Sequence, residues 1–337
     1  MTPEVACPGP RSVRTLRQDV FSLLNDVLPR TRAIDNVIHL ARFVRAHRRM
    51  PRKPHRSDST FNDFIFFRLA QSDWSYLERF CVDKEYVKLF VGGACPEVRI
   101  APPIDILRLS SSVPLQSVES VLLARRGENV VAKPTHSSGT VLFLRKKPPV
   151  EEVRRFCAAA SRSYYDVSRE SLYAGLERKI LLEEDLSAED REPIDYKFFC
   201  ARGAVLFCQI DIDRFSGHRR RLVTESFRPI NVRYMHDMSD DVPAKPAGFE
   251  RMVGVARRLS TFFRFVRVDL YCVHETVFFG ELTFAPEGGA GSLSDEAFGV
   301  SVMASIRSAN SKGLRLVEPF EDALVAGRQA TNCFKRG

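Results

Sequence analysis

Two β-hairpins in the C-terminal half constrain the fold of this chain more than any other feature of its sequence. Apolar residues dominate the segments 196–200 and 205–210, on either side of a turn at Arg202-Gly203. The segments 265–271 and 277–283 form a second pair of the same kind. Short apolar runs joined by a turn are typical of paired strands. The sequence therefore predicts two β-hairpins and a strongly β character from residue 195 onward.

The rest of the chain mixes helical and strand-like segments. Residues 179–184 read as a short apolar strand that ends in acids, and residues 130–133 and 141–144 are strand candidates on either side of a loop. Apolar side chains recur at helical spacing in several other segments. The predicted helices are 12–28, 32–48, 61–79, 83–91, 151–163 and 249–263, and the chain is expected to be helical again from Asp295 before it becomes irregular.

Composition excludes several classes of protein. Of the 337 residues, 44% are hydrophobic and 28% charged, which is typical of a globular chain and not of a disordered one. No run of about 18 apolar residues predicts a membrane span, and the N-terminus lacks the apolar core of a secretory signal. The eight cysteines include no CxxC pair, which argues against a zinc site or a disulfide framework. We expect a cytoplasmic protein.

Positive charge is concentrated at the N-terminus. Residues 1–60 hold twelve Lys/Arg and five Asp/Glu, a net of +7 out of +9 for the chain. A basic arm of this kind suits an anionic partner, and the alternative is a solvated, Arg-rich helix face. The arm has few aromatic residues and the chain has no nucleic-acid-binding motif, so nucleic acid is not an expected partner.

Two carboxylates mark the second hairpin as a possible cation site. Asp269 and Glu281 lie on its two strands, and strand pairing can place both side chains on one face. Two oxygen donors together with phosphates are the usual magnesium arrangement. Two acids in one hairpin are also common on a solvated face, so the pair alone leaves both interpretations open.

A lysine before a loop of small residues is the second chemical feature. Lys133 ends a predicted strand and is followed by the segment PTHSSG, residues 134–139. The backbone N–H groups of such a loop can surround phosphates while the lysine neutralises their charge. The segment matches neither the Walker pattern nor the GxGxxG fingerprint. A plain β-turn is the alternative.

The order of these elements resembles the ATP-grasp superfamily and, within it, the TupA-like ATP-grasp family, named for a teichuronopeptide biosynthesis protein. The resemblance covers about residues 55–300. It rests on seven segments in the right order: STFND (59–63), DKEYV (83–87), KPTHSSG (133–139), IDYKFFC (194–200), QIDIDRF (209–215), FVRVDLY (265–271) and FGELTF (279–284).

The resemblance implies an α+β ATP-grasp fold, in which two α+β subdomains clasp ATP. It suggests a smaller subdomain at residues 84–184 and a larger one at 185–310. A helical, basic N-terminal segment, residues 1–83, would pack alongside, and residues 311–337 would form a C-terminal tail.

The resemblance also implies which residues bind the nucleotide. Two lysines would hold the phosphates, a mobile loop would cover them, a hinge would read adenine through its backbone, and one acid would contact the ribose. In that order these are Lys84 and Lys133; His136, Ser137, Ser138 and Gly139; Glu183, Glu184, Asp185 and Leu186; and Asp195.

Magnesium and the transferred phosphoryl group would lie beside the second hairpin. The resemblance implies Asp269 and Glu281 as Mg²⁺ ligands, with Thr283 where an asparagine is common. Lys197 would place a cation near the phosphoryl group, and Arg267 is a candidate clamp for a substrate carboxylate. His136 is either a catalytic acid/base or a hydrogen-bonding residue of its loop.

A polar run follows the first hairpin. It is either a solvated loop or a site for the substrate that accepts or provides a carboxylate, with Arg214 as a possible clamp. The residues of this run are Asp211, Asp213, Arg214, His218 and Arg219.

The activity that the resemblance implies is an ATP- and Mg²⁺-dependent carboxylate–amine ligase. A carboxylate would form an acyl phosphate, and an amine would then displace phosphate to give an amide. The family name suggests that an amino acid or amine is attached to a cell-surface polymer or a peptide-like metabolite. The alternatives are a small-molecule or sugar kinase on the same fold and a non-catalytic protein that binds ATP or polyanions.

Overall fold

The structure is a computed structural model that describes residues 27–187, 193–212, 219–239 and 242–311. Helices and mostly antiparallel strands form two bodies, each with its own sheet, so the predicted α+β class is confirmed. No helix within the described part of the chain combines the length and the apolar character that a membrane crossing needs.

The helices and strands have the following bounds. The helices are α1 Arg32–His47, α2 Phe61–Gln71, α3 Tyr76–Cys81, α4 Tyr86–Ala94, α5 Leu115–Ala124, α6 Val150–Ala160, α7 Tyr164–Ser168, α8 Phe249–Ser260 and α9 Glu296–Ser311. The strands are β1 Arg99–Ile100, β2 Pro103–Arg108, β3 Val130–Pro134, β4 Leu142–Phe143, β5 Lys179–Glu184, β6 Asp195–Ala201, β7 Ala204–Ile212, β8 Arg219–Val223, β9 Pro229–Ile230, β10 Val266–Val273 and β11 Thr276–Thr283.

The larger sheet has the strand order β1-β11-β10-β6-β7-β8-β9. Both predicted hairpins, β6–β7 and β10–β11, lie within it and pair antiparallel, as does every other neighbouring pair except the parallel β1–β11. The hairpins lie side by side because β6 pairs with β10. The sheet therefore places the Asp269 and Glu281 hairpin next to the strand that carries Lys197.

Side chains of the central strands alternate between two faces of this sheet. Tyr196 and Phe198 contact Phe249 of α8, with ring centroids 6.3 and 5.6 Å apart. Phe199 lies on the opposite face, where its ring is 6.1 Å from that of Phe61 in α2. Helices α2 and α9 cover one end of this second face, and its other end is polar. We call that end the polar floor: Asp195, Lys197, Asp211, Arg220, Arg267, Asp269, Glu281 and Thr283.

The smaller sheet has the order β2-β5-β3-β4 and is antiparallel. Its core is separate from that of the larger sheet and includes Val118 and Leu122 of α5 and Val153 and Phe156 of α6. Helices α5 and α6 therefore close one face of this sheet, and strands β3 and β5 carry the predicted Lys133 and hinge residues to its rim.

The boundary between the two bodies, as judged from packing, differs from the boundary predicted at residue 84. Val87, Phe90 and Val91 of α4 belong to the core of the larger body, where the Phe90 ring lies 5.7 Å from that of Phe263. The apolar side of α4 fits this core, so the helix stays with the larger sheet. Lys84, just before α4, is consequently anchored to the larger body, and the smaller sheet begins only at β2.

The predicted helix over residues 61–79 is two helices, α2 and α3. Ser72 ends α2 in a left-handed conformation, with φ 52°, and Ser75 begins α3 through a capping box with Glu78. A buried ion pair of 2.8 Å between Arg68 and Glu78 then ties the two helices together. The helix breaks here although apolar residues continue at helical spacing. Ser72 pairs backbone groups left free at the end of α2, and Ser75 does so at the start of α3.

Helix α1 docks on two segments that flank the space between the sheets. Arg169, fully buried after α7, binds Asp35 at 3.1 Å, and its carbonyl oxygen lies 3.0 Å from Nε2 of His39. At the other end of α1, Nε2 of His47 lies 2.9 Å from the carbonyl oxygen of Gly289. The helix predicted over residues 12–28 lies almost wholly outside the described residues.

The basic residues of the N-terminal arm are largely engaged in this docking. Residues 27–60 hold nine Lys/Arg and two Asp/Glu, so they account for the whole net charge of +7. Five of their arginines bind carboxylates or carbonyl oxygens of the body: Arg30, Arg32, Arg42, Arg49 with Asp63 at 2.8 Å and Arg52 with Glu296 at 2.6 Å. Packing therefore explains most of the charge without an anionic partner.

Candidate active site

A cleft of about 770 Å³ separates the smaller sheet from the polar floor of the larger one. Its volume is in the range of sites that bind small molecules and cofactors. Most of the residues predicted to bind the nucleotide and metal line it together. They are Lys84, Lys133, Gly139, Glu183, Glu184, Asp185, Leu186, Asp195, Asp269 and Glu281, and Asp211 of the predicted substrate run lines the cleft with them.

One end of the cleft is apolar and lies at the hinge between the two bodies. The N–H groups of Glu184 and Asp185 are already bonded, to the carbonyl oxygens of Pro102 and Asn129 at 3.1 Å each. The Asp185 carboxylate folds back onto the chain, where it accepts the Ser187 N–H at 2.9 Å. Apolar residues that line the cleft include Val131, Val141, Phe143, Leu181, Ile194 and Ile212, and strand register places Val131 opposite Glu183 and Phe143, next to the hinge.

A buried Lys–Glu–Lys arrangement lies next to the hinge. The two carboxylate oxygens of Glu183 accept one lysine each, Lys133 on Oε1 and Lys88 on Oε2. Burial acts to raise the pKa of Glu183, but the two ammonium groups outweigh it and lower that pKa. Lys88 lines the cleft and escaped the sequence analysis, although it follows Lys84 by four residues, a spacing that places two side chains on one helix face.

Lys84 joins the base of the predicted mobile loop to the polar floor. Its backbone N–H donates to the Thr135 carbonyl oxygen at 3.1 Å, and its Nζ donates to the carbonyl oxygen of Ser137. The same Nζ lies 3.7 Å from Oε2 of Glu281. The loop base is further fixed because the Thr135 hydroxyl donates to Asp83 at 2.9 Å.

His136 lies beneath the loop and away from the cleft. Its Nδ1 accepts the Lys179 N–H at 3.4 Å, so its Nε2, 3.2 Å from the Arg162 carbonyl oxygen, carries the proton and donates. Burial lowers the pKa of His136, which favours this neutral form. The contacts are those of a hydrogen-bonding residue of the loop. Gly139, with φ 78°, brings the loop backbone to the cleft instead.

Asp269 and Glu281 face each other across β10 and β11. Their register is direct, and it depends on a β-bulge in which Gly280 is the extra residue of β11. A Cβ at Gly280 would lie 2.9 Å from the Asp269 carbonyl oxygen, so only glycine fits. The bulge reverses the alternation of β11, because Phe279 before it and Leu282 after it are both buried. Glu281 is thereby turned into the cleft.

Arg267 lies between the two predicted metal ligands. Its guanidinium binds both oxygens of Asp269 at 2.7 Å and reaches Oε1 of Glu281 at 3.2 Å. It also donates to the Thr283 hydroxyl at 3.0 Å. Burial raises the pKa of Asp269 to about 7, with Glu281 adding to the rise and Arg267 opposing it. Asp269 and Glu281 have the oxygen donors that suit Mg²⁺, whereas the Thr283 hydroxyl is occupied by Arg267.

Lys197 is buried in the floor between two acids. Its Nζ donates to Asp211 and lies 3.3 Å from Oδ2 of Asp195. Asp211 also accepts Nε of Arg220 at 2.7 Å. Burial acts to raise the pKa of Asp211, but Lys197 and Arg220 lower it strongly. Asp211 therefore stays ionised over the ordinary pH range.

Only part of the predicted polar run is described. Asp213, Arg214 and His218 lie outside the described residues. Arg219 is exposed at the start of β8, opposite Ile212, whereas its neighbour Arg220 pairs with Asp211. The sequence analysis singled out Arg219 and missed Arg220 because it did not recognise β8 as a strand, where alternate residues change faces.

The chain is similar to one protein family and to several solved structures. A family model described as TupA-like ATPgrasp matches residues 75–306. No curated protein matches the chain. Among solved structures, the chain is similar to a D-alanine–D-alanine ligase from Bacillus anthracis complexed with ATP, with 11% identity, a TM-score of 0.37 and 69% of each chain covered.

Two further structures are similar at the same level. The ATP-grasp ligase PsnB complexed with minimal precursor has 12% identity and a TM-score of 0.34, with 73% of this chain and 68% of that chain covered. The D-cycloserine synthetase DcsG has 16% identity and a TM-score of 0.35, with 73% of this chain and 78% of that chain covered.

Proposed function

Because the chain belongs to the TupA-like ATP-grasp family, we propose that it joins a carboxylate to an amine at the expense of ATP bound in the cleft. The family match spans more than half of the chain and confirms the predicted family, the ATP-grasp fold and the assignment to the ATP-grasp ligases. The reaction, its substrates and the roles of single residues are the proposal.

The observation that carries this proposal is the convergence of cations and carboxylates across the cleft. Lys84 approaches Glu281 to 3.7 Å, and Lys133 and Lys88 lie beside the hinge. A triphosphate needs cations along its length and a divalent metal at its end. Lysines along the cleft and an acid pair on its floor meet both needs.

The polarity of the cleft sets the direction of the nucleotide. We place adenine at the apolar end, against the backbone of Leu186, because the N–H groups of Glu184 and Asp185 are already bonded. The phosphates then extend past the three lysines toward Asp269 and Glu281. The loop of residues 134–139 would cover them, and Gly139 would bring backbone N–H groups close to the phosphate oxygens.

Asp269 and Glu281 would hold Mg²⁺, which neutralises phosphate charge when bound. Arg267 keeps the two carboxylates in position through its bonds to both. Lys197 supplies a fixed positive charge on the floor, held by Asp211 and Asp195. Such preorganised charges lower the barrier to phosphoryl transfer because they need no rearrangement during the reaction.

The reaction has two steps. A carboxylate oxygen of one substrate attacks the γ-phosphorus of ATP, giving an acyl phosphate and ADP. The nitrogen of the neutral amine then attacks the acyl carbon, phosphate leaves, the nitrogen releases a proton to solvent, and an amide forms. The acyl phosphate must be shielded from water between the steps, which suits a loop that closes over the cleft. The family name suggests that the product is an amino acid or amine attached to a cell-surface polymer or a peptide-like metabolite.

The test is ADP release from Mg·ATP with pools of carboxylates and amines, added together and separately. Lys133→Ala and Glu281→Ala run beside the wild type, and each is expected to lose activity by about 100-fold. Hydroxylamine replaces the amine in a further arm, because it converts an acyl phosphate into a stable hydroxamate. We expect ADP release with both pools and hydroxamate with the carboxylate pool alone.

Other outcomes separate the alternatives. ADP release with a hydroxyl compound, without hydroxamate, would show a kinase. Mg·ADP binding without turnover in any pool would favour a non-catalytic nucleotide-binding protein. Absence of Mg·ADP binding to the wild type would overturn the proposal itself.

A further inference from the structure

A group of polar side chains lies next to Arg267 but outside the lining of the cleft. We call Glu170, Glu287 and Tyr234 the turn cluster, because all three lie at the turn of residues 286–291 that follows β11. None of the nucleotide contacts proposed above uses them.

Glu287 is held in an unusual backbone conformation. It has φ 54° and ψ 20°, a left-handed geometry that glutamate adopts at a cost and glycine adopts freely. Two side chains hold the turn in place. Nε2 of His47 lies 2.9 Å from the Gly289 carbonyl oxygen, and Nδ2 of Asn62 donates to the Gly291 carbonyl oxygen at 2.9 Å. The Glu287 carboxylate lies 3.7 Å from Nη1 of Arg220.

Glu170 faces the same turn from the opposite side. Its Oε1 would lie 3.7 Å from a Cβ built on Gly288, the residue after Glu287. Within the described part of the chain, its carboxylate has neither a hydrogen bond nor an ion pair. Burial raises the pKa of Glu170 to about 8, Arg42 opposes this rise, and Glu287 adds to it. An unpaired carboxylate beside a second one is costly unless a cation lies between them.

Tyr234 supplies an independent indication of a ligand. The residue is 1% exposed, and its hydroxyl has no hydrogen-bond partner. The hydroxyl lies against the turn, 2.4 Å from where a Cβ at Gly291 would be. After burial, the Glu287 carboxylate is the largest influence that raises the pKa of Tyr234. A buried hydroxyl without a partner normally marks a bound water or ligand group.

The turn cluster adjoins the reaction centre. Arg267 binds both predicted metal ligands, and the charge of Glu287 contributes to the raised pKa of Arg267. Tyr164 and Tyr173, with ring centroids 4.7 Å apart, have their pKa values raised by burial and then by both Glu170 and Glu281. A group held by the cluster would thus lie close to the proposed metal ligands.

Resting on the proposed ligase function, we propose that the turn cluster binds the ammonium group of the amine substrate. Two carboxylates neutralise and orient the cation, and the Tyr234 hydroxyl accepts one of its hydrogen bonds. The substrate class is therefore a primary amine that is protonated in solution, such as an amino acid derivative. The group binds as a cation, and it passes one proton to a carboxylate of the turn cluster before its neutral nitrogen attacks the acyl carbon.

Helix α1 has a part in this site although it precedes the matched family region. Arg42 is held by the carbonyl oxygens of Ser168 and Val167, the latter at 3.3 Å, and its charge opposes the rise of the Glu170 pKa. His47 of the same helix supports the turn that carries Glu287. Helix α1 thereby places a positive charge near Glu170 and supports the turn that carries Glu287.

The experiment measures thermal unfolding of the full chain in Mg·ADP with three probe amines: L-alaninamide, L-lysinamide and 1,4-diaminobutane. The fully acetylated form of each, in which every amino group is an amide, is the uncharged comparison. A ligand that binds the folded state raises the unfolding midpoint with concentration. We expect the free amines to raise it and the acetylated forms to leave it unchanged.

Three variants locate the binding. For Glu170→Gln and for Glu287→Gly, about 10-fold more amine should be needed to raise the unfolding midpoint by the same amount. This is the loss typical of a charged hydrogen bond. Tyr234→Phe should weaken the amine effect by about 5-fold. All three should fold, because glycine suits the backbone at 287 and the other two changes remove groups without partners. Glu250→Gln, at a surface ion pair with Lys245, is the matched control.

The outcomes separate this inference from the proposed function. Equal amine effects in the wild type and all three variants would overturn the inference, as would no effect of any free amine on the wild type while Mg·ADP still raises the midpoint. An unchanged midpoint in Mg·ADP itself would instead count against the proposed function.

Discussion

Glu281 lies directly opposite Asp269 across β10 and β11 because β11 contains one extra residue, Gly280, at a bulge. Without the bulge, the alternation that buries Val277 and Phe279 would bury position 281 as well. The pair that we propose for Mg²⁺ therefore depends on a local irregularity of the strand. Bulges often redirect a side chain next to a functional site in this way.

Gly280→Ala tests this dependence. The added methyl group would lie 2.9 Å from both the Asp269 carbonyl oxygen and a ring carbon of Tyr271, so the strand must shift. We expect Mg·ADP affinity to fall by about 10-fold, as for other changes that misplace metal ligands, and stability to fall by about 1–3 kcal/mol. Calorimetric titration with Mg·ADP and urea unfolding measure the two effects.

Gly254→Ala is the matched control. Nothing lies within 4 Å of a Cβ at this helical glycine, so we expect a gain of about 0.5–1 kcal/mol and unchanged binding. Equal Mg·ADP affinity in both variants would show that the bulge does not position Glu281.

Lys88→Ala tests the cation that the sequence analysis missed. Its Nζ lies 2.5 Å from Oε2 of Glu183 and lines the cleft with Lys133. Loss of one charge-assisted contact to phosphate should weaken ADP binding by about 10-fold, and the weakening should be smaller at high salt. Titration with ADP at low and high ionic strength is the measurement. The control Lys245→Ala, at the surface, should leave the ADP affinity unchanged at both ionic strengths. If Lys88→Ala binds ADP as tightly as the wild type, Lys88 does not contact the phosphates.

Lys197→Met separates a catalytic from a structural role for the floor. Asp211 keeps Arg220 as a partner at 2.7 Å, so we expect the variant to fold with a loss of about 3 kcal/mol, toward the lower end for a broken buried pair. Mg·ADP binding should persist while single-turnover ADP formation falls by about 100-fold. A variant with reduced stability but normal turnover would assign Lys197 to the fold alone.

The sequence predicted β5 and the two hairpins well because their apolar runs are bounded by polar turns. β5 has the predicted bounds, Lys179–Glu184, and both hairpins agree with the structure to within two residues. Asp269 and Glu281 were paired correctly, since a short turn leaves few registers for a hairpin. The bulge that makes their pairing direct was not predicted, because a single Gly280 within a strand has no other local signal.

Long-range packing decided what the sequence analysis missed. The boundary predicted at residue 84 fails to match the packing because α4 buries Phe90 in the larger core, a contact with residues far along the chain. Arg220 and not Arg219 binds Asp211 because register fixes the face of each residue of β8. His136 was a catalytic candidate by its place in a loop, and only the fold shows that the backbone binds both of its ring nitrogens.

Glu170 predicts a pH dependence of stability with a definite sign. Burial raises its folded-state pKa from 4.5 to about 8, so the folded protein resists its ionisation more than the unfolded chain does. The groups that face it are Arg42, which stays charged, Glu287, and Tyr164 and Tyr173, whose pKa values are also raised. The contribution of Glu170 to the free energy of unfolding is therefore most favourable below pH 4.5 and is lost progressively as the pH rises toward 8.

Glu170→Gln removes this contribution. We expect the variant to be more stable than the wild type at pH 8 by about 1 kcal/mol, allowing for the partial exposure of the carboxylate, and the difference to shrink toward zero at pH 4.5. Urea unfolding of both proteins at several pH values between 4.5 and 9 measures it. A saturating amine should reduce the difference at pH 8, because a bound ammonium stabilises the ionised Glu170 that the variant lacks. A difference that stays constant with pH would show that Glu170 ionises as an ordinary exposed carboxylate.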